Sequence, residues 1–302
     1  MTDLVQIVVS AATVGSVLGL VALGYNLVFS ATRIVNFAQG TMLVVAGYTA
    51  YALTREGVPI WAAFVLTVLL SAAFGAVVEL VAIRPLGRFD PTRNVGWVLT
   101  TFAVTLVSID LVRLAVDAEP HPLPDLAGSI LGWEQSTVAG VPITATDVAI
   151  VVGAVVMMLL IEGLHRRTTA GRAFRAVAQD RQTAALMGIN PSAVVLTTFA
   201  VAGALAGVGA VLLAPKLFVR LDNGEILGVQ AFVAAVLGGL GSTRGAVVGG
   251  YLIALTSAVV RTVQIGDSTF VKWEPLVVFA VFMLVLVFRP NGIFGRPDIE
   301  KA

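Results

Sequence analysis

From Val5 to Phe29 the chain carries no charged side chain over 25 consecutive residues. A helix needs about 20 apolar residues to cross the hydrocarbon core of a bilayer. Runs of this kind, or close to it, recur at 38–54, 60–83, 95–116, 146–164, 191–213, 226–240, 245–263 and 275–289. Backbone groups find no water partner in lipid, so a spanning segment is a helix or a strand of a closed barrel. Barrel strands alternate over roughly 10 residues, so unbroken runs of this length exclude the barrel. The expectation is an all-α, polytopic integral membrane protein with about eight or nine transmembrane or re-entrant helices, forming one transmembrane domain over residues 1–302. The runs at 226–240 and 275–289 are short enough to be half-helices.

Composition removes several function classes. The chain is 58% hydrophobic and 12% charged, against about 45–50% and about 25% in soluble domains. So few charges cannot cover a soluble surface of this size. There is no cysteine, which excludes disulfides and thiolate metal sites. The two histidines, His121 and His165, lie in unrelated stretches and supply too few ligands for a metal. A net charge of +1 provides no field to hold nucleic acid. The first basic residue is Arg33, so the N-terminal run reads as a first span, not as a cleaved leader.

Basic residues accumulate on the cytoplasmic side of spanning helices. With nine spans and the N-terminus outside, 13 of the 19 basic residues fall inside, among them Arg33, Arg84, Arg88, Arg93, Arg166, Arg175, Arg244, Arg289, Arg296 and Lys301. Six fall outside, and the acidic residues Asp117, Glu119, Asp125, Glu134 and Asp147 gather in or just after one outside loop at 117–145. The bias predicts a cytoplasmic C-terminus. The loop reads as a solvated connector or a landing surface for an external partner. Trp133 and its prolines suit a small hairpin without showing one.

The apolar runs are nearly free of ionisable groups, which ion-coupled transporters place near the bilayer centre. Glu79 stands near the inner end of its run, where snorkelling or pairing with Arg84 is expected. Asp110 and Arg113 share one helix face at the outer end of theirs. An ATP-binding P-loop requires GxxxxGK[ST], and Lys216, Lys272 and Lys301 never follow a glycine. If the chain pumps, the ATPase is another chain. One alternative is a secondary transporter or channel that works without such a partner.

Residues 165–190 form a polar, basic segment between two inside ends. From Gly171 to Met187 the spacing predicts one continuous helix, with Ala173, Val177, Ala184 and Met187 on an apolar stripe and Arg172, Arg175, Asp180 and Arg181 toward water. Gly188 and Asn190-Pro191 stop it. This helix would lie on anionic lipid or dock in a groove of a soluble subunit. Small residues at Ala176, Ala184 and Ala185 favour docking. Two glycine-containing clusters interrupt the apolar pattern: Arg33, Asn36, Gln39 and Gly40, and later Gly239, Gly241 and Arg244. Broken backbone at membrane depth survives inside protein or beside a water-filled path, but glycines equally permit close helix packing and turns. Both readings stand for each cluster.

Four ordered motifs carry a family resemblance. LGYNLVFSATRIVNFAQGTMLVVAGY, GRAFRAVAQDRQTAALMGIN, AFVAAVLGGLGSTRGAVVGGYLI and RPNGIFGRPDIEKA resemble the LivH-type permeases of branched-chain amino-acid ABC importers. The likeness extends from about residue 14 to the end. Gln39 departs from the histidine common in that family but keeps a hydrogen-bonding side chain. The resemblance implies a permease of the bacterial inner membrane. It would pair with a homologous, LivM-like second permease, two ATPase subunits and an external solute-binding protein. ATP and Mg would be bound on the partners, with no cofactor on this chain. It further implies that Gly171, Arg172, Arg175, Ala176, Asp180, Ala184, Ala185 and Gly188 couple to an ATPase. Related permeases carry other small organic solutes, so the cargo stays open between branched-chain amino acids and these.

Overall fold

A computed structural model describes residues 2–86, 96–116, 119–132, 135–138, 140–262, 264–265 and 268–295. Arg88, Arg93, Asp117, Trp133, Glu134, Arg296 and Lys301 lie outside the described residues.

Among the described residues the nine apolar runs fall on nine helices: α1 (Thr2–Thr32), α2 (Gln39–Arg55), α3 (Ile60–Val78), α4 (Gly96–Ala115), α6 (Ala145–Arg167), α9 (Pro191–Leu217), α10 (Asn223–Gly238), α11 (Thr243–Thr262) and α12 (Glu274–Phe288). Six of them, α1, α3, α4, α6, α9 and α11, are long and apolar enough to cross a membrane. The remaining described helices are polar or external: α5 (Leu126–Leu131), α7 (Thr169–Gln179) and α8 (Arg181–Leu186).

The bundle is organised around α1. At 1.5 Å per residue it is about 46 Å long, more than the ~30 Å of hydrocarbon it must cross. Between Val17 and Val28 nearly every side chain is buried. A helix that is apolar all round belongs in such a centre. It packs against α11, α9, α10 and α6. Apolar burial gives little preference between protein and lipid, so association depends on close packing and interhelical hydrogen bonds. Glycines supply the closeness. A Cβ on Gly250 of α11 would lie 2.5 Å from the Gly19 backbone nitrogen of α1. At the α3–α9 crossing a Cβ on Gly203 would overlap the Ser71 carbonyl, and one on Gly75 the Phe199 carbonyl.

The short helices are broken, not merely truncated. Arg33 ends α1 in the left-handed conformation, φ 60°. The chain then turns back, and Gln39 opens α2 against Gly24, well within the length of α1. Helix α10 meets this start: Gly224 and Gly228 abut Gly40 at backbone distance. Helix α3 changes to a π-turn over Glu79–Ile83 and then a 3₁₀ turn over Arg84–Leu86.

Ion pairs gather at the two ends of the bundle. At one end Glu162 pairs with Arg166 (2.7 Å) and Arg244 (3.3 Å). At the other, Asp147 closes a capping box with Thr144 at the start of α6, accepts from Thr13 (2.9 Å) and pairs with Lys216 of α9. Arg261 and Glu274 pair there as well, in two hydrogen bonds of 2.7 and 3.0 Å. The loop at 117–145 folds over this second end. It contains α5 and a hairpin of β1 (Gln135–Val138) and β2 (Val141–Thr144). His121 exchanges two backbone hydrogen bonds with Val219 and stacks on Tyr51. A second two-stranded ladder joins β3 (Gln264–Ile265) to β4 (Ser268–Thr269). Asp110 and Arg113 pair at 3.4 Å on an exposed face.

Wide faces of α3, α4, α6 and α12 remain apolar and exposed, including Leu69, Leu106, Leu159 and Val287. These are faces for lipid or for another membrane chain.

The glycine crossings predict a contrast. Gly203→Val should cost about 1–3 kcal/mol and lower the thermal midpoint measured in detergent. Gly163→Ala has open space around its added methyl group and should leave the midpoint unchanged or raise it by the equivalent of about 1 kcal/mol.

Candidate coupling surface and buried polar site

The segment between α6 and α9 is built from caps. Thr168 accepts from the Gly171 amide (3.0 Å) and starts α7. The continuous helix expected from Gly171 to Met187 is instead two helices meeting at Asp180. That residue is extended, φ −155° and ψ 113°, and its carboxylate accepts from the Gln182 and Thr183 amides at 2.8 and 2.9 Å. An aspartate that satisfies two otherwise unpaired amides favours a new N-terminus over helix continuation. Gly188 then takes a left-handed φ of 81°, and Asn190 caps α9 through the Ser192 and Ala193 amides.

This geometry sorts the predicted contact residues. Gly171 is buried, and a Cβ there would overlap the Leu164 and His165 carbonyls at the end of α6. Ala184 and Val177 are also buried, and Ala176 is half-buried. These four hold the segment onto the bundle. Arg172, Arg175, Asp180, Ala185 and Gly188 are exposed. Met187, expected on the apolar stripe, is 79% exposed, beside Leu186 at 87%. The tip of α8 therefore presents Ala185, Leu186 and Met187 outward. Sequence periodicity missed Leu186 because it assumed one unbroken helix.

Behind this segment Glu79, for which the sequence predicts snorkelling or pairing at the interface, is buried in the π-turn of α3. Arg84 and Arg181 are its cationic neighbours. One of its oxygens, Oε2, has no protein partner among the described residues.

The first glycine-containing cluster forms a buried polar site. Asn36 and Gln39 are fully buried. Asn36 Oδ1 accepts from the Ala38 amide (3.1 Å), and Gln39 Nε2 donates to the Ala202 carbonyl of α9 (3.1 Å). Asn36 Nδ2 and Gln39 Oε1 have no protein partner among the described residues. Burying an unpaired amide group costs about 1–3 kcal/mol, so these two atoms call for a partner beyond the surrounding side chains. Gly40 serves the contact with α10, and Arg33 is exposed with its guanidinium 5.8 Å from the Phe29 ring centre.

The second cluster forms a turn between α10 and α11. Gly239 and Gly241 have φ of 106° and 87°, and Arg244 is exposed in its pair with Glu162. The chain after α12 lies against it, with the Ile293 and Phe294 amides donating to the Leu237 and Gly238 carbonyls. The anchor is Asn26 of α1, which sequence reasoning passed over. Its Nδ2 donates to the Gly239 (3.3 Å) and Ser242 (2.8 Å) carbonyls, and its Oδ1 accepts from the Gly241 amide (3.3 Å). Both clusters thus rest on one stretch of α1, Gln39 at Gly24 and the turn at Asn26. An asparagine alone inside a long uncharged run was the available signal.

Two variants separate these roles. Asn26→Ala breaks three hydrogen bonds, takes the acceptor of the Gly241 amide and should cost about 2–4 kcal/mol, read as a lower denaturation midpoint in detergent. Asn36→Leu removes the unpaired Nδ2 but also takes the acceptor of the buried Ala38 amide, so it should cost about 1–3 kcal/mol, while uptake by cells expressing the full system falls.

The comparisons with known proteins agree with one another. Residues 7–286 match the family model described as branched-chain amino acid transport system, permease component. The high-affinity branched-chain amino acid transport system permease protein BraD of Pseudomonas aeruginosa is 34% identical over 98% of this chain and 97% of its own length. The permease protein LivH of Escherichia coli K12 is 31% identical over 97% of this chain and 96% of its own. Among solved structures, a chain of PsaBC from Streptococcus pneumoniae superposes with a TM-score of 0.51 at 14% identity, over 97% of this chain and 94% of that one. That likeness speaks to the fold alone. The chain is a multi-pass membrane protein and belongs to the permease component family of branched-chain amino acid transport systems.

Proposed function

We propose that this chain is a membrane-spanning, non-catalytic subunit of a binding-protein-dependent ABC importer. Its cargo is branched-chain amino acids or a related small organic solute. It works in the bacterial inner membrane with the N-terminus outside and the C-terminus cytoplasmic. Its partners are a homologous LivM-like permease, two ATPase subunits that bind ATP and Mg, and an external solute-binding protein. The observation that carries this reading is the α8 tip. Three consecutive apolar residues, Ala185, Leu186 and Met187, stand exposed at the basic end of the bundle, on a segment locked to the spans behind it.

The coupling follows from how that segment is held. An ATPase groove that grips α8 moves α7 with it, because Asp180 and Gly171 leave little slack at either end. Helix α7 bears on α6, α1 and α9. The motion thereby reaches α1, on which both polar clusters rest. Asn36 and Gln39, with unpaired amide atoms beside broken backbone, are the groups assigned to the solute path. Gly40, Gly239 and Gly241 permit the close contacts around it.

Two measurements test this reading. Purified in mild detergent from its native gene neighbourhood, the chain should bring with it two copies of an ATPase and a second permease. Isolation alone under several gentle extractions, with nucleotide-independent flux in liposomes, would replace the reading with a self-contained transporter. Ala185→Glu places a charge in the docking surface and should reduce uptake at least about tenfold, consistent with loss of one well-packed contact. Membrane insertion should be unchanged. Normal uptake by well-expressed Ala185→Glu would remove α8 from the coupling role.

A further inference from the structure

Residues 119–124 read Glu-Pro-His-Pro-Leu-Pro. Proline fixes its own φ, and the residue before a proline is driven into the extended region. Every position of this stretch is one or the other, so it is a stiff extended bar. Side chains alternate along an extended chain. Pro120, Pro122 and Pro124 are exposed, whereas Leu123 is buried and His121 half-buried.

The inner side of the bar grips Val219, in the turn between α9 and α10. His121 and Val219 exchange both backbone hydrogen bonds, at 3.0 and 2.8 Å. The His121 ring stacks on Tyr51 of α2 at 4.0 Å and meets Tyr48 edge-on at 6.0 Å. Leu123 joins Val219 in a small apolar cluster with Val44 and Tyr48 of α2 and Val211 and Ala214 of α9, apart from the main core. Beyond Leu123 the bar is anchored by Asp125. Its carboxylate caps α5 through the Ala127 amide (2.9 Å) and accepts from the Thr146 hydroxyl of α6 (2.7 Å).

Val219 in turn closes a seam. Its side chain would lie 3.2 Å from a Cβ on Gly47. It also lines a cavity between α2, α9 and α10, with Leu43, Gly47, Ala210, Leu213 and Leu227. The cavity measures about 20 Å³, room for a single water molecule. The same seam leads to the buried polar site. Gln39, Leu43 and Gly47 follow at four-residue steps on α2. Ala202, which accepts from Gln39, precedes Ala206, Ala210 and Ala214 at the same steps on α9. Two further features mark the closed end. Phe218, next to Val219, is held at φ 57°, a conformation that residues with a side chain rarely adopt and that gathers in switch regions. The Tyr48 hydroxyl, buried against the His121 ring, has no protein partner among the described residues.

We propose that residues 119–124 and Val219 form a gate at the end of the bundle opposite α8. In this structure the bar holds Val219 on Gly47, and the seam toward Gln39 is closed. Lifting the stiff bar as one piece frees Val219 and opens the seam to solute. The route through Gln39 rests on the proposed function, whereas the closure does not depend on what drives transport.

Directly opposed, hydrogen-bonded residues of an antiparallel pair have Cα atoms about 5.5 Å apart, within disulfide reach. The chain has no cysteine of its own, so His121→Cys with Val219→Cys can be expressed with the full system and assayed for leucine uptake. Oxidation should reduce uptake to background, and a reductant should restore it. Unchanged uptake with the disulfide fully formed would overturn the proposal. A second measurement decides if the disulfide does not form or the wild type does not carry leucine. Ala210→Cys, in the cavity wall, is labelled in the assembled transporter by a membrane-impermeant maleimide added on the side opposite α8. Adding Leu123→Ser should raise the labelling rate about tenfold, because labelling follows the opening equilibrium and a buried leucine is lost from the closed side. An unchanged rate would overturn the proposal as well. Co-purification of the ATPase is scored separately. A chain that works alone would sink the importer reading, and the same oxidised pair should still block its flux in liposomes.

Discussion

The structure depends on keeping the polar groups of α1 satisfied while the helix is buried on every side. Between Val17 and Val28 it has almost no contact with lipid or water. Three consecutive residues meet this constraint in different directions. Gly24 makes room for Gln39, which bonds to α9. The Tyr25 hydroxyl reaches the Gly228 carbonyl of α10 at 3.3 Å, and Asn26 closes the 239–242 turn. In a medium where apolar burial gives little driving force between helices, such hydrogen bonds and backbone-close crossings determine which helices are neighbours. The same helix therefore organises both the broken segment at 33–39 and the glycine turn.

A transporter needs a rigid part that carries force and a region where polar contacts can be exchanged. The rigid part here is the chain of contacts from α8 through Asp180, α7 and Gly171 to α6 and α1. In the proposed reading the exchangeable region is the start of α2, where Asn36 and Gln39 have unpaired atoms inside the protein. Unpaired groups of this kind cost stability and persist where they serve another purpose. Their position beside α1 links the two parts through one helix. The exposed apolar faces of α3, α4, α6 and α12 leave room for a second membrane chain without disturbing that core.

Much of this architecture could be read from the sequence because spanning helices announce themselves by length and lack of charge. The run at 191–213 became Pro191–Leu217 with its Asn190 cap, and the run at 226–240 became the short helix Asn223–Gly238. What could not be read were local competitions. The spacing from Gly171 to Met187 fits one helix, yet the Asp180 carboxylate accepts hydrogen bonds from two backbone amides that a continuous helix would not leave free. Glu79 suggested snorkelling, but a π-turn places it inside. The importance of Asn26 depends on Gly239, Gly241 and Ser242, more than 200 residues away, and no local pattern contains that pairing. The hairpin at 135–144 lacked any strong turn signal apart from Gly140.

The most direct test of the account is site-specific cross-linking of the assembled transporter, starting from this naturally cysteine-free chain. A single cysteine in place of Leu186 should cross-link efficiently to an ATPase subunit, with a yield that changes between nucleotide-free and ATP-bound states. A cysteine in place of Leu4, at the opposite end of the bundle, should not. Equal yields from the two positions, or no ATPase adduct from position 186 in an intact complex, would contradict the claim that α8 is where the membrane subunit receives its force.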